Sequence, residues 1–280
     1  MKTSNKQWQI KGRILDVARR PLVMGILNVT PDSFSDGGRF FDTHKAVARA
    51  LEMVKEGADI IDVGGESTRP GADPVPEQQE MDRVVPVIER IVSRCGTPIS
   101  VDTTKATVAE AAIKAGAHII NDIGGLSVDP TIAHVAAKHR CGLVLMHMKG
   151  RPRTMQDAPH YDDLMSEIVD FLKSALHRAT HNGVELASIV VDPGIGFGKT
   201  WAHNWKILKQ LNQLASLGRP ILIGTSRKRF LREQVGEEPK ALESATLASH
   251  VAACLNGARI VRVHDVFSHR CAMDVVRALQ

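Results

Sequence analysis

The sequence predicts an α/β fold of the (β/α)8, or TIM-barrel, class. Eight short apolar runs rich in β-branched residues recur along the 280 residues, and each ends almost at once on a polar or charged residue. The stretches between them repeat their apolar residues at helical spacing. No Pro/Ser-rich linker or charge block breaks this rhythm, so residues 1–280 are expected to form a single domain. In such a barrel the chemistry collects at the C-terminal ends of the strands, so the eight polar ends are expected to share one rim.

The elements follow in order, with bounds good to a few residues. Residues up to about 21 are a leader in which WQIKGRILDV reads as a β-hairpin plugging the barrel floor. PLVMGIL gives a strand near 22–27 that stops at Asn28, followed by a Gly/Ser/Asp loop and a helix at about 43–56. ADIIDV, near 59–63, stops at Gly64, Gly65 and Glu66, and GGESTRPGADPVP leads to a helix at about 77–94. PISV, near 98–101, stops at Asp102 before a helix at about 105–115. AHII, near 117–120, stops at Asn121 and Asp122 before a helix at about 130–139. CGLVLM, near 142–146, ends at His147, and a long loop precedes a helix at about 162–182. SIVV, near 188–191, ends at Asp192, with a Gly-rich loop and a helix at about 203–217. PILIGT, near 220–223, leads into Ser226, Arg227 and Lys228 and a helix at about 241–256. ARIV, near 259–263, ends at Arg262 and His264 before a closing helix at about 267–279. The loops after strands 1, 2 and 5 are longer than connections usually are, as functional or mobile loops are, and all three are expected at the rim.

Bulk composition narrows the partners. Lys+Arg 36 against Asp+Glu 31 leaves a formal +5, spread along the chain, and aromatics are only 4%. A nucleic-acid surface would cluster its basic residues and interleave aromatics, so no nucleic-acid partner is expected. A small anionic substrate fits better. No apolar run approaches a membrane span, and the N-terminus lacks the apolar stretch of a signal peptide. The four cysteines show no CxxC or zinc spacing, so free thiols in a reducing cytoplasm are expected.

The candidate site residues sort by charge. Asp102, Asn121 and Asp192 each follow buried β residues directly, which places them at the barrel mouth. Buried carboxylates need donors, and a 2-aminopyrimidinone edge offers adjacent N–H groups, with Asn supplying both a donor and an acceptor. The same residue types also suit capping of the following helix. Arg262 and His264, two apart on one strand, point the same way and suit a phosphate cluster, with Arg69 closing over it; Asp265 is the local alternative partner. Lys228 reads as a hydrogen-bonding cation, with an aldolase-type Schiff base as the alternative. In the loop NVTPDSFSDGG, Asn28 and Asp36 offer hard oxygens for Mg2+, which binds few protein oxygens plus substrate phosphates. Asp36 equally suits an Asp-Gly turn, and Phe34 a packing anchor. DPGIGFGKT is neither GxGxxG nor a P-loop; its glycines read as a tight turn, with Phe197 as an apolar contact. His147 reads as a satisfied interior residue. The carboxylates and amides are expected on one side of the rim and the cations on the other.

These segments resemble the dihydropteroate synthase family. MGILNVTPDSFSDGG and ADIIDVGGESTRPGA look like its two long signatures. SVDTTK, GAHIINDIGG, LVLMHMKGRPRTMQ, VVDPGIGFGK, IGTSRKRF and RVHDV match further blocks in the family's order, from about residue 22 to 267. The resemblance implies a TIM-barrel homodimer that joins 6-hydroxymethyl-7,8-dihydropterin pyrophosphate to p-aminobenzoate, giving 7,8-dihydropteroate and pyrophosphate in folate biosynthesis, with Mg2+ as cofactor. It implies a pterin pocket of Asp102, Asn121, Asp192 and Lys228. It puts Asn28 and Asp36 on the magnesium pyrophosphate, with Arg69, Arg262 and His264 as further anion contacts. It puts Phe34, Thr68, Pro70, Phe197 and Ser226 around p-aminobenzoate, on the surface that sulfonamide inhibitors occupy in the family. A pterin-dependent methyltransferase shares the barrel but has no use for the pyrophosphate clamp, and a non-catalytic pterin binder has no use for the loop and metal residues.

Overall fold

The computed structural model of the protein describes residues 6–30, 39–68, 71–150 and 154–279, and the side chains of 39–42 are left aside. The leader forms the hairpin its alternation suggests. β1 (Gln7–Ile10) pairs antiparallel with β2 (Arg13–Asp16), Ile10 opposite Arg13, around Gly12 at φ +69°. Trp8 is completely buried, and its Nε1 donates to the Ser188 carbonyl at 2.8 Å, so the ring's one polar atom is satisfied. The indole packs with Met24, Ile60, Ile119, Val144 and Ile260, which fill the barrel from below. The expected floor plug is therefore present.

Eight parallel strands make the barrel. They are β3 (Leu22–Asn28), β4 (Ile60–Gly64), β5 (Ile99–Asp102), β6 (Ile119–Asp122), β7 (Gly142–Met146), β8 (Ile189–Asp192), β9 (Leu222–Ile223) and β10 (Ile260–Val263). Their order is β8-β7-β6-β5-β4-β3-β10-β9, and a parallel bridge between Val191 and Ile221 joins the two ends. β9 is only two residues long; Pro220 before it has no N–H for the ladder, but its carbonyl accepts from Val191 N at 3.0 Å.

The helices alternate with these strands: α1 (Arg39–Lys55), α2 (Glu77–Val92), α3 (Ala106–Lys114), α4 (Ile132–His139), α5 (Leu164–His181), α6 (Trp201–Lys209), α7 (Arg229–Val235), α8 (Pro239–Leu255) and α9 (Val266–Leu279). Local chemistry sets several starts. The Asp163 side chain accepts from Met165 N and Ser166 N at the head of α5. Thr200 and His203 exchange capping bonds at the head of α6, and α8 opens on Pro239 with Glu238 accepting from Ala241 N. Their inner faces pack on the outer face of the barrel in one large apolar core.

Two expectations about helices are corrected. The single helix expected near 203–217 is α6 followed by 3-10 turns over Leu211–Leu217, because Gln210 leaves the helical region at φ −113°, ψ 20°. The stretch after Lys228 contains α7, a short helix whose buried Phe230 and Leu231 are too few to make a periodic signal.

Candidate active site

Strand register assembles the rim. Asn28, Gly64, Asp102 and Asn121 stand opposite one another across β3, β4, β5 and β6, and Met146 stands opposite Asp192 across β7 and β8. Side chains alternate along a strand, so residues two above the floor layer face the barrel axis again. That layer holds Asp62 above Ile60, Asn121 above Ile119, Asp192 above Val190 and Arg262 above Ile260.

These groups meet. Arg262 Nε donates to Asp62 Oδ2 at 2.6 Å, and its NH2 nitrogen donates to Asp102 Oδ2 at 2.7 Å. Asn121 Nδ2 donates to the same Asp62 oxygen at 3.0 Å. The expected separation of carboxylates from cations is thus corrected: one guanidinium lies between two acids, because burying three charges together needs opposite signs in contact. The other oxygens, Asp62 Oδ1 and Asp102 Oδ1, are buried and have no hydrogen-bond partner among the described residues. Burial raises the Asp102 carboxyl to about 7; Arg262 opposes that rise and the neighbouring Asp62 adds to it.

The capping alternative divides these residues. Asp122 accepts from Gly124 N at 2.8 Å and Leu126 N at 2.7 Å, so it is a turn residue, with its carboxyl pushed up by burial to about 6. Asp102 caps nothing: the residue before α3 is Lys105, and it is Asp129 that accepts from Ala106 N. Asp192 spends Oδ1 on Gly194 N at 2.6 Å, and burial raises its carboxyl against the pull of Lys228. Asp265 accepts from Ser268 N at the head of α9, at 3.2 Å.

Lys228 closes the other wall. Its Nζ donates to the Ile195 carbonyl and lies 4.7 Å from the centre of the Phe197 ring. Burial pushes the ammonium down to about 8, with Asp192 opposing. Ser226 Oγ lies 2.9 Å from His264 Nδ1, which joins the segments after β9 and β10. Phe197, Ile123 and Met148 form an apolar patch beside these polar groups. The loop after β8 packs so closely on its neighbour that a Cβ on Gly194, at φ +69°, would stand 1.9 Å from the His147 carbonyl oxygen. Lys199 is buried behind that loop, donating to the Phe197 carbonyl at 2.9 Å, with Nζ 2.9 Å from His147 Nδ1. Burial pushes Lys199 well below the usual lysine range, and burial, with Lys199 beside it, pushes the His147 imidazole down to about 2.

The loop after β4 is tied at its base. Glu66 accepts from Lys105 Nζ and, at 3.1 Å, from Val75 N. Lys105 also bonds the buried Glu80 at 2.5 Å, and Arg83 donates to the Gly65 carbonyl at 2.7 Å. A cavity of about 440 Å3 opens beside this clasp, lined by Thr68, Asp102, Lys105, Ile123 and Met148 among others. Phe34, Asp36, Arg69 and Pro70 lie outside the described residues. Among the described residues no group of three or more His, Cys, Asp or Glu is placed to hold a metal, and no helix is long and apolar enough to cross a membrane.

Residues 24–264 match the model of the pterin-binding enzyme family. A dihydropteroate synthase of Bacillus subtilis is 48% identical over 256 residues, covering 91% of this chain and 87% of that one. The structure of the Xanthomonas albilineans dihydropteroate synthase with 4-aminobenzoic acid superposes with a TM-score of 0.91 at 46% identity, covering 98% of each chain. That of the Yersinia pestis enzyme with a sulfonamide drug gives 0.91 at 45%, again covering 98% of each. The chain belongs to the dihydropteroate synthase family.

Within this dihydropteroate synthase barrel, the structure brings Asn28, Asp102, Asn121, Asp192, Phe197, Ser226, Lys228, Arg262 and His264 to the C-terminal end of the strands, with Thr68 on the neighbouring loop. Sequence reasoning missed Asp62, Lys105 and Lys199. Asp62 hid inside ADIIDV, yet its alternation with Ile60 on a buried strand was a usable signal. Lys105 and Lys199 look like surface lysines in sequence, and only their tertiary partners set them apart.

Proposed function

We propose that residues 1–280 form one pterin-binding domain whose rim transfers the 7,8-dihydropterin-6-ylmethyl group from its pyrophosphate ester to the amine of p-aminobenzoate. The observation that carries the reading is the pair of buried oxygens on Asp62 and Asp102 that have no donor among the described residues, on carboxylates held in place by Arg262. A buried acceptor without a donor is costly, and the 2-amino and ring N–H groups of a pterin are adjacent donors that would relieve it. Asp192 has one oxygen left after Gly194 for the same edge, and Asn121 supplies an amide. Phe197, Ile123 and Met148 offer the flat ring an apolar face.

In the proposed reaction the C–O bond to the diphosphate breaks with its electron pair leaving on oxygen, an SN1-like step. The aryl amine then attacks the carbon and loses a proton. Arg262, His264 and Arg69 are the proposed contacts of the departing diphosphate, with Lys228 on the pterin side, and preorganised donors act on charge as it develops. Arg262, tied to two acids, orders the pterin side while adding positive potential. Mg2+ fits this rim, since Asn28 ends β3 beside Asp102 with a hard oxygen, and with Asp36 it would hold the ion, which supplies charge to the leaving group. Phe34, Thr68, Pro70, Phe197 and Ser226 are the proposed surround of p-aminobenzoate, where sulfonamides would compete.

The partner copy is proposed to sit on α9. Phe267, Val275 and Leu279 are 62%, 62% and 66% exposed, and they follow a four-residue spacing with Cys271 that places one apolar stripe on the surface. The four cysteines form no disulfide, as suits the reducing cytoplasm proposed for the protein. The test of the function is pyrophosphate release from the pterin pyrophosphate ester. It should require both p-aminobenzoate and Mg2+, with one dihydropteroate formed per pyrophosphate. Release at full rate without p-aminobenzoate would overturn the reading.

A further inference from the structure

Behind the rim runs a buried connection that the proposed reaction does not touch. β9 ends at Ile223, so the Thr225 N–H has no strand partner and instead donates to His250 Nε2 at 3.0 Å. An amide N–H only donates, so that nitrogen carries no proton and the neutral ring carries its proton on Nδ1. Nδ1 lies 2.9 Å from His269 Nε2, which must therefore accept. The His269 proton is then on Nδ1, 2.6 Å from the Asp265 carbonyl, its acceptor. One tautomer of each ring satisfies every link. A proton added to either ring would set two donors face to face.

Both imidazoles are buried, 0% and 2% exposed, between α8 and α9. Hydroxyls extend the seam. Thr225 Oγ1 donates to Ser249 Oγ at 2.7 Å, Ser249 donates to the Thr246 carbonyl at 2.7 Å, and Arg227 N donates to Thr246 Oγ1 at 3.3 Å. Residues 225–227 are thus fastened to α8, and α8 is fastened through two rings to the backbone just past His264. Packed leucines would fill the same space, but they would leave the Thr225 N–H unpaired and would give no directional link.

We propose that His250 and His269 are positioning residues that hold the segment after β9, with Ser226 and Lys228, in register with the segment after β10, with His264. The proposal rests on the reading of His264 as a contact of the departing diphosphate and of Lys228 as a contact of the pterin beside it.

The test uses inorganic pyrophosphate as a competitive inhibitor and compares His250→Leu with His250→Gln. The Leu variant, folded by circular dichroism, should bind pyrophosphate roughly tenfold more weakly and show the same rise in KM for the pterin ester. The Gln variant, with one acceptor and one donor, should recover to within about threefold of the parent. An unchanged Leu variant, or a Gln variant no better than Leu, overturns the proposal. Nitrogen-15 NMR of the unaltered protein checks it without a variant: both rings should be neutral with the proton on Nδ1, and a proton on Nε2 of either ring contradicts it. His264→Ala tests the underlying reading separately. If it leaves pyrophosphate inhibition unchanged, the assignment of the anion side fails, while the comparison of Gln with Leu still decides whether the two imidazoles position the rim.

Discussion

Arg262 and Asp62 are 200 residues apart in the chain and 2.6 Å apart in the barrel. Asp62 is wholly buried and also takes the Asn121 amide, so one carboxylate orders both the guanidinium and the amide of the proposed pterin pocket. Asp62→Asn removes the charge that balances Arg262 while keeping the shape. Breaking a buried pair is destabilising, and discounting for the partly exposed Arg262 the expected loss is on the order of 2–3 kcal/mol in urea unfolding. Pterin affinity should fall with it. An Asn variant as stable as the parent would show that the pair contributes nothing to the fold.

Asp102 should make pterin binding depend on pH. Its carboxyl is raised from 3.8 to about 7, chiefly by burial, so the folded protein holds a proton that the unfolded chain has lost. The stability this group contributes is therefore full below its unfolded value and falls as pH rises toward about 7. A ligand that donates to the ionised carboxylate has the opposite slope, and pterin should bind more tightly as pH rises through about 7. Isothermal titration across that range should show the slope in the parent and its loss in Asp102→Asn.

The clasp at the base of the loop after β4 should act on the second substrate. Glu66 draws together Lys105 and Val75, so the segment that carries Thr68 hangs from a closed base. Lys105→Met leaves Glu80 buried without its cation. The KM for p-aminobenzoate should rise about tenfold, with pterin affinity changed much less, because unpairing a buried charged group costs one to three kcal/mol or more, roughly. Equal losses for both substrates would place Lys105 elsewhere in the mechanism.

Gly194→Ala should disable the site without unfolding the barrel. The added methyl would meet the His147 carbonyl oxygen at 1.9 Å, at a φ of +69° that alanine disfavours. The loop after β8 would have to move, and Asp192 would lose the Gly194 N–H. Circular dichroism should stay near the parent while pterin binding falls by a factor of about ten or more.

Much of this was legible in the sequence, for physical reasons that differ by residue. The strands were legible because a barrel buries them on both faces, so PISV or SIVV reads as a continuous apolar run, and the polar residue that ends it marks the mouth. The floor hairpin was legible from its alternation around Gly12. Partners were not: nothing local to Arg262 says that it reaches Asp62 and Asp102 rather than Asp265, since that choice is made across strands. α7 was not legible because it is only seven residues long, and Gln210 gave no sign that it would end α6.

The central claim is that one rim grips the pterin through Asp62, Asp102 and Asp192 and the diphosphate beside His264. The most direct measurement compares the affinity of 6-hydroxymethyl-7,8-dihydropterin with that of its pyrophosphate ester in Asp192→Asn and His264→Ala. Asp192→Asn should weaken both ligands by the same factor, and His264→Ala should weaken the ester alone. If Asp192→Asn weakens only the ester, or His264→Ala weakens both ligands equally, the account is contradicted.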